Sequence, residues 1–255
     1  MIDPSTQKPF NLCNMGVSLK LLFTGYLVTI GTGYIFALIQ ILFTHGMADG
    51  KFGLSLEDVV YSYYGDRSGS VMESKLNGSM KYNAPESERF KIIKWVRDGA
   101  IEDDFEEKVK PVFDKYCVTC HTANAGYLAD FSQFEKIKKL TESDEGATFQ
   151  SLTRVSHIHL FGVSFIFMFV CLIFSFSTGI PRKYKYPAII MPYMFLLLDI
   201  ASWWLTKLSP HFALLVIFSG AGLGLAFAYM WYVSMYQMWL LERRLKRIDK
   251  KYDRR

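Results

Sequence analysis

Four long apolar blocks and one long mixed segment set the pattern of this chain. Val17 to Thr44, His159 to Thr178, Ala188 to Thr206 and Phe212 to Leu241 are the apolar blocks. Each holds about 20 or more mostly apolar residues, enough for a helix to cross a hydrocarbon core of ~30 Å. Buried helices of a large soluble domain would not need runs of this length. Gly25, Gly31 and Gly33 in the first block offer a small face to a neighbouring helix, as do Ser219, Gly220, Gly222 and Gly224 in the fourth. Between the first and second blocks the pattern changes to short amphipathic stretches separated by turn residues. Leu54 to Val60 predicts a short helix capped by Ser55, Asp66 to Ser70 a loop, and Ser74 to Met80 a run into a second polar turn. Pro85 to Asp98 predicts the clearest soluble helix. Pro85 suits its first turn, Glu86 and Glu88 favour the positive end of its dipole, and Gly99 stops it. Its predicted apolar face is Phe90, Ile93, Trp95 and Val96. Glu102 to Glu107 opens another helix that runs on to Tyr116. Ala123 to Gly126 reads as a turn and Phe131 to Leu140 as a last amphipathic helix.

The expected fold is therefore all-α: four transmembrane helices, with an α-helical domain inserted between helices 1 and 2. The divisions are a lead over 1–16, the first span over 17–44, the inserted domain over 45–156, the other three spans over 157–241, and a basic tail over 242–255.

Composition fits this picture, with 51% of the 255 residues hydrophobic and 16% aromatic. Charge adds an orientation. Arg182, Lys183 and Lys185 lie between spans two and three, and Arg243, Arg244, Lys246, Arg247, Lys250, Lys251, Arg254 and Arg255 follow span four. The positive-inside rule places both segments in the cytoplasm. An even number of spans then puts the N-terminus inside and the inserted domain outside. Gly46 to Ser156 carries 15 Lys+Arg against 19 Asp+Glu, net −4, while the rest of the chain totals +9. Span one is too long for a signal-peptide core and lacks an Ala-x-Ala site, so it is expected to be an uncleaved anchor.

Tyr116-Cys117-Val118-Thr119-Cys120-His121 carries the chemistry. Cys-x-x-Cys-His is the attachment signature of a c-type haem. Two thiols three positions apart on one helical turn can each form a thioether to a haem vinyl. His121 then lies under the iron as the proximal ligand. A zinc half-site would want a second ligand pair, and a redox dithiol would want a βαβ context. The remaining cysteines, Cys13 and Cys171, fall on or across the expected membrane. In bacteria haem is attached to this motif outside the cytoplasmic membrane, in agreement with the charge pattern.

Val109-Lys110-Pro111-Val112-Phe113-Asp114-Lys115-Tyr116 resembles the first helix of small cytochrome c domains. Ile92-Ile93-Lys94-Trp95-Val96-Arg97-Asp98-Gly99-Ala100 resembles their last helix, which ends Trp-hydrophobic-x-x-Gly-Ala. In that family the last helix follows an axial methionine by some ten to twenty residues, and Met80 stands at about that distance here. The order is inverted, since the methionine and last helix precede the haem motif. First and last helices cross in that fold and domain termini lie close together, so a permuted chain can build the same pocket. The resemblance covers roughly residues 70 to 140 and implies His121 and Met80 as iron ligands. Met47, Met72, a histidine or an open site are the alternatives to Met80. The four-span arrangement also resembles a group of bacterial membrane-anchored monohaem proteins, a likeness that carries no activity.

The other histidines, His45, His157, His159 and His211, all fall at the outer ends of spans. They could hold a second haem, copper or a quinol. His157 and His159 point about 200° apart on a helix and cannot both face the bundle axis. Asp199 inside span three is costly unless paired or wet, and could hydrogen-bond a histidine. Interfacial placement alone also accounts for histidines and for Trp203 and Trp204.

The expected function is electron transfer by a membrane-anchored, periplasm-facing monohaem cytochrome c in the bacterial cytoplasmic membrane. It would act as a non-catalytic subunit or docking partner of a respiratory or other membrane redox complex. Its expected partners are other subunits, soluble or membrane electron donors and acceptors, and the lipid bilayer; no nucleic acid is expected. Two other classes compete. One is an enzyme subunit with metal or quinol chemistry at the outer histidines. The other is a haem-based redox or gas sensor that signals through the basic tail.

Overall fold

The structure, a computed structural model, describes residues 10–241 except Met47, Ala125 and Tyr127. The basic tail, the first nine residues, the alternative ligand Met47 and one position of the 123–126 turn lie outside the described residues. The regular elements of the described residues are all helices, and no named strand occurs among them. In order they form α1 Val17–Thr44, α2 Leu56–Tyr63, α3 Val71–Asn77, α4 Glu86–Arg97, α5 Glu102–Asp104, α6 Lys110–Tyr116, α7 Phe134–Lys138, α8 Phe149–Ser175, α9 Arg182–Leu208 and α10 Ala213–Met235. A wide π turn, Phe105–Val109, joins α5 to α6, and a second, Tyr236–Leu241, extends α10.

The chain divides into two compact units. One comprises Met1–Leu38, Thr153–Ser202 and Leu215–Arg255, and the other Ile39–Leu152 and Trp203–Leu214.

The first unit is a helix bundle. Leu27, Phe167, Val170, Phe174, Ala188, Phe227 and Met230 fill its centre. Its outside is also apolar: Leu22, Phe36, Phe161, Phe165 and Leu225 are each at least 60% exposed. Water would not tolerate such a surface, whereas lipid tails match it. α1, α8, α9 and α10 with its extension are all long and apolar enough to cross a membrane. The protein is thus a multi-pass membrane protein in contact with the bilayer. Gly222 lets the Phe195 ring come within 2.5 Å of where a β-carbon would sit, and Gly224 does the same for the Tyr34 hydroxyl. Gly222 and Gly224 therefore serve packing within the chain. Trp231 Nε1 donates to the Leu27 carbonyl at 2.9 Å beside Gly31, and Trp239 Nε1 donates to Thr24 Oγ1 at 2.8 Å.

Two boundaries differ from the expected ones. Leu12 and Met15 belong to the bundle core, and Leu12 N–H donates to the Phe176 carbonyl at 3.1 Å, so the end of the lead packs as part of the bundle. α8 begins at Phe149, ten residues before the apolar run, because helical backbone continues through Gln150, Ser151 and Arg154 where hydropathy falls.

The second unit is built around a core of Met72, Leu76, Ile92, Ile93, Trp95, Ala100, Phe105, Val109, Val112, Phe113 and Ile137. Ser55 caps α2 as expected, in a capping box with Asp58 that buries the Asp58 carboxylate completely. α3 is an addition: Ser70 caps it and Met72 and Leu76 anchor it. On α4 the buried face is Arg89, Ile92, Ile93 and Trp95, and Phe90 is 63% exposed. The buried face is thus rotated from the expected one, because Arg89 and Ile92 turn inward in place of Phe90. The Arg89 guanidinium donates to the Leu76 carbonyl at the end of α3, 2.8 Å away, while its aliphatic stem fills space. The helix expected over Phe131–Leu140 is shorter, with α7 running into a 3-10 turn at Lys139–Thr141.

Candidate cofactor-attachment site

The site grows out of the end of α6. Pro111 has no N–H to give to residue 107, and its ring would strike that carbonyl. The chain answers with the wide turn just before it, where Lys110 N–H bonds Phe105 O. Val109, Val112 and Phe113 then face the core, at 2%, 4% and 1% exposure. The helical turn continues past Tyr116. Cys117 N–H donates to Phe113 O at 2.8 Å, and the Cys117 carbonyl accepts from both Cys120 N–H at 3.1 Å and His121 N–H at 3.0 Å. Both thiols and the imidazole are thus carried on one turn. Cys117 packs against the core and Cys120 is exposed.

The loop after the motif returns to hold His121. Phe131 N–H donates to the His121 carbonyl at 3.1 Å, and the Phe131 ring stacks on the imidazole at 4.2 Å and 8°. His121 Nδ1 lies 2.8 Å from the Ala129 carbonyl. A carbonyl only accepts, so Nδ1 carries a proton, and in the neutral ring the lone pair is then at Nε2. This is the arrangement a metal-ligating histidine needs.

Neither thiol is in a disulfide. Burial pushes the Cys117 thiol up to about 11. A redox dithiol needs the opposite shift. Among the described residues no group of three or more His, Cys, Asp or Glu side chains is placed to hold a metal ion. Two free thiols on one turn, with an imidazole bare at Nε2, do fit covalent haem attachment.

Trp95-x-x-x-Gly99-Ala100 has its own geometry. Gly99 N–H donates to Val96 O and Ala100 N–H to Trp95 O, at 3.2 and 3.0 Å, which is a Schellman closure. Gly99 takes φ 102°, and Ala100 follows at φ 52°. Trp95 Nε1 donates to the Ile101 carbonyl at 2.9 Å, locking its ring against Phe105 and Phe134. The motif ties the end of α4 to the start of the helical run that carries the cysteines.

Met80 lies half-buried on the turn after α3, with its Sδ accepting from Asn83 Nδ2 at 3.2 Å. It is not a member of the core that Cys117 packs against, whereas Met72, 5% exposed, is.

The remaining histidines have separate local partners. His45 Nδ1 is 2.8 Å from Ser62 Oγ. Ser62 donates its only hydroxyl proton to the Asp58 carbonyl at 2.7 Å, so His45 is the donor and its Nε2 is bare. Its ring stacks on Tyr63, which stacks on Trp203. Burial lowers the His45 pKa below the usual imidazole value. His157, His159 and His211 are exposed; His157 meets the edge of Phe161, and His159 Nδ1 faces the Val155 carbonyl at 2.9 Å. Asp199 accepts from Ser219 Oγ at 2.8 Å. Sequence reasoning missed Ser62, Ala129 and Ser219 as partners. The Ala129 contact is made by a backbone carbonyl and leaves no side-chain signature.

Residues 123–245, just under half of the chain, match a family of transmembrane helical domains. No curated protein matches the chain. No solved structure matches it either.

Proposed function

We propose that this protein is a membrane-anchored electron-transfer protein that carries one covalent haem c at Cys117 and Cys120. The observation that carries the proposal is the His121 geometry, with Nδ1 tied to Ala129 and Nε2 bare, on the same turn as two free thiols. When bound, haem supplies reversible one-electron exchange at its iron. The chain's own residues do the rest. Cys117 and Cys120 would hold the group covalently, and His121 would offer Nε2 to the iron. Phe131 fixes the imidazole plane, and Cys117 packs against the apolar core, which would exclude water there. Met80, whose sulfur accepts from Asn83, would supply a thioether to the iron, and this would favour the reduced state.

The unit that carries the motif would be the inserted cytochrome c-like domain. It would face the periplasm of a bacterial cytoplasmic membrane, with both termini in the cytoplasm, as the charge asymmetry supports. The protein would pass electrons as a subunit or docking partner of a membrane redox complex. The test is haem-staining on a denaturing gel: Cys117→Ala with Cys120→Ala removes all stain, and persistent stain would sink the attachment site. A periplasm-active reporter fused after Arg255 is expected to be silent.

His45 supports a second reading. An imidazole bare at Nε2 beside a Tyr63–Trp203 stack could hold a second haem or copper, or bond a quinol. Two metals per purified chain would favour it.

A further inference from the structure

The chain just past α1 carries an apolar loop that the electron-transfer reading leaves unused. Gly53 N–H donates to the Gly46 carbonyl at 2.9 Å, so the loop folds back onto the end of the span. Gly46 permits this, because a β-carbon there would meet the Leu42 oxygen at 2.7 Å and the Gly53 oxygen at 3.1 Å. The buried Asp58 carboxylate fixes the rest. Its Oδ1 accepts from Asp49 N–H at 2.9 Å and its Oδ2 from Ser55 N–H at 2.8 Å. Polar groups thus turn inward and apolar side chains outward. Phe52, Leu54 and Leu56 are exposed, Phe52 at 77%, while Gly53 and Ser55 between them are half-buried. Ser55 is extended, at φ −105° and ψ 169°, which sends Leu54 and Leu56 to one side of the chain and its own hydroxyl to the other.

Single exposed apolar side chains are ordinary, and Phe90 on α4 is one. Here three alternate along one short loop, and their place says what covers them. The lipid-facing outside of α1 continues to its end, where Ile39, Ile41 and Phe43 are exposed. The loop starts just beyond and closes back on that end. His45, the residue after α1, stacks on Tyr63 at 6.4 Å, and Tyr63 stacks on Trp203 of α9 at 5.9 Å, so two spans come to one level here. With α1 across the bilayer, that level is the boundary between tails and headgroups, a zone that takes aromatic rings. Exposed Lys51, next to Phe52, suits the same zone, with its stem along the apolar side and its ammonium toward the phosphates. The loop surface is therefore continuous with the lipid-facing surface of the span.

We propose that the loop over 51–56 is a lipid-binding foot, with Phe52, Leu54 and Leu56 seated in the headgroup boundary of the bilayer that α1 crosses. The proposal rests on the membrane spans and stands whether or not haem is attached. The test uses the full-length protein in phosphatidylcholine liposomes, with the photoreactive p-benzoylphenylalanine put in place of Phe43, Phe52 or Phe90, one at a time. On illumination its ketone takes a hydrogen from a nearby C–H bond, and the two radicals join. Mass spectrometry of the labelled peptide reads the lipid adduct. Adducts are expected in comparable yield at Phe43 and Phe52 and lost at Phe90. Adduct at Phe43 with none at Phe52 would overturn the proposal, as would equal yield at Phe52 and Phe90. Absence at both Phe43 and Phe52 would overturn the span assignment of α1 along with it. The same variants illuminated in native membranes give a second reading. Lipid adduct at Phe52 is again expected, and a protein adduct in its place would assign the loop to a partner subunit and sink the idea.

Discussion

His121 and His45 are held alike. Each imidazole gives its Nδ1 proton to an oxygen, the Ala129 carbonyl in one case and the Ser62 hydroxyl in the other. Each leaves Nε2 bare, and each stacks on an aromatic ring, Phe131 or Tyr63. What differs is the neighbourhood. His121 shares a turn with two free thiols, while the partner of His45 is the half-buried Ser62 hydroxyl, itself donating to the Asp58 main-chain carbonyl. A ligand-ready imidazole needs only one acceptor and one flat neighbour, so it is weak grounds for a site. The thiols on the same turn make one of these histidines a strong candidate and leave the other a weak one.

The sharpest way to break that comparison is to remove each imidazole in turn. His121→Ala should abolish the six-coordinate haem spectrum, and His45→Ala should leave haem content and spectrum unchanged. Loss of haem in the His45 variant would exchange their roles. The methionines come next. Met72→Ala opens the core and should cost about 2–5 kcal/mol in stability on denaturant unfolding, as buried Met→Ala changes do. It should also keep the sulfur-to-iron charge-transfer band of ferric haem. Met80→Ala should remove that band and lower the potential with little change in stability. If the two spectral outcomes are exchanged, the sulfur ligand comes from the core. Trp95→Phe removes the indole bond to Ile101 and should cost about 1 kcal/mol, read by the same unfolding experiment.

The smallest effect concerns pH. Burial lowers the His45 pKa, so in the folded state it binds its proton only below the ordinary value of 6.5. In that interval the unfolded chain holds more protons than the folded one, and stability falls as pH falls. Unfolding midpoints measured from neutral pH downward should show this loss in the wild type and a flatter profile in His45→Gln. Equal slopes would show that His45 is not the group responsible.

Much of the fold was legible in the sequence because it obeys local rules. The four apolar blocks have the length that a bilayer demands, Ser55 caps α2, and Gly99 stops α4 with φ 102°. The errors lie where tertiary contacts override local preference. Val71–Asn77 mixes polar and apolar residues too evenly to announce α3, which forms because Met72 and Leu76 find the core. Arg89, absent from the expected apolar face, is interior because the Leu76 carbonyl accepts from its guanidinium. At the site, Cys117, Cys120 and His121 were visible as letters. The Ala129 carbonyl that sets the tautomer, and the Ser219 hydroxyl 20 positions from Asp199, were not, since nothing in sequence spacing records them.

The wide turn at Phe105–Val109 has a consequence for how such a chain can change. It holds one residue more than a regular helical turn, so it acts as a phase setting for everything after it. Deleting a single residue there would rotate α6 by about 100°. Val112 and Phe113 would leave the core, and the thiols would swing to another side of the unit. Length changes in this turn are thus far more dangerous than in the loop from Thr122 to Asp130. Pro111 guards the setting from the other side, because its ring forbids the tighter turn that a deletion would create.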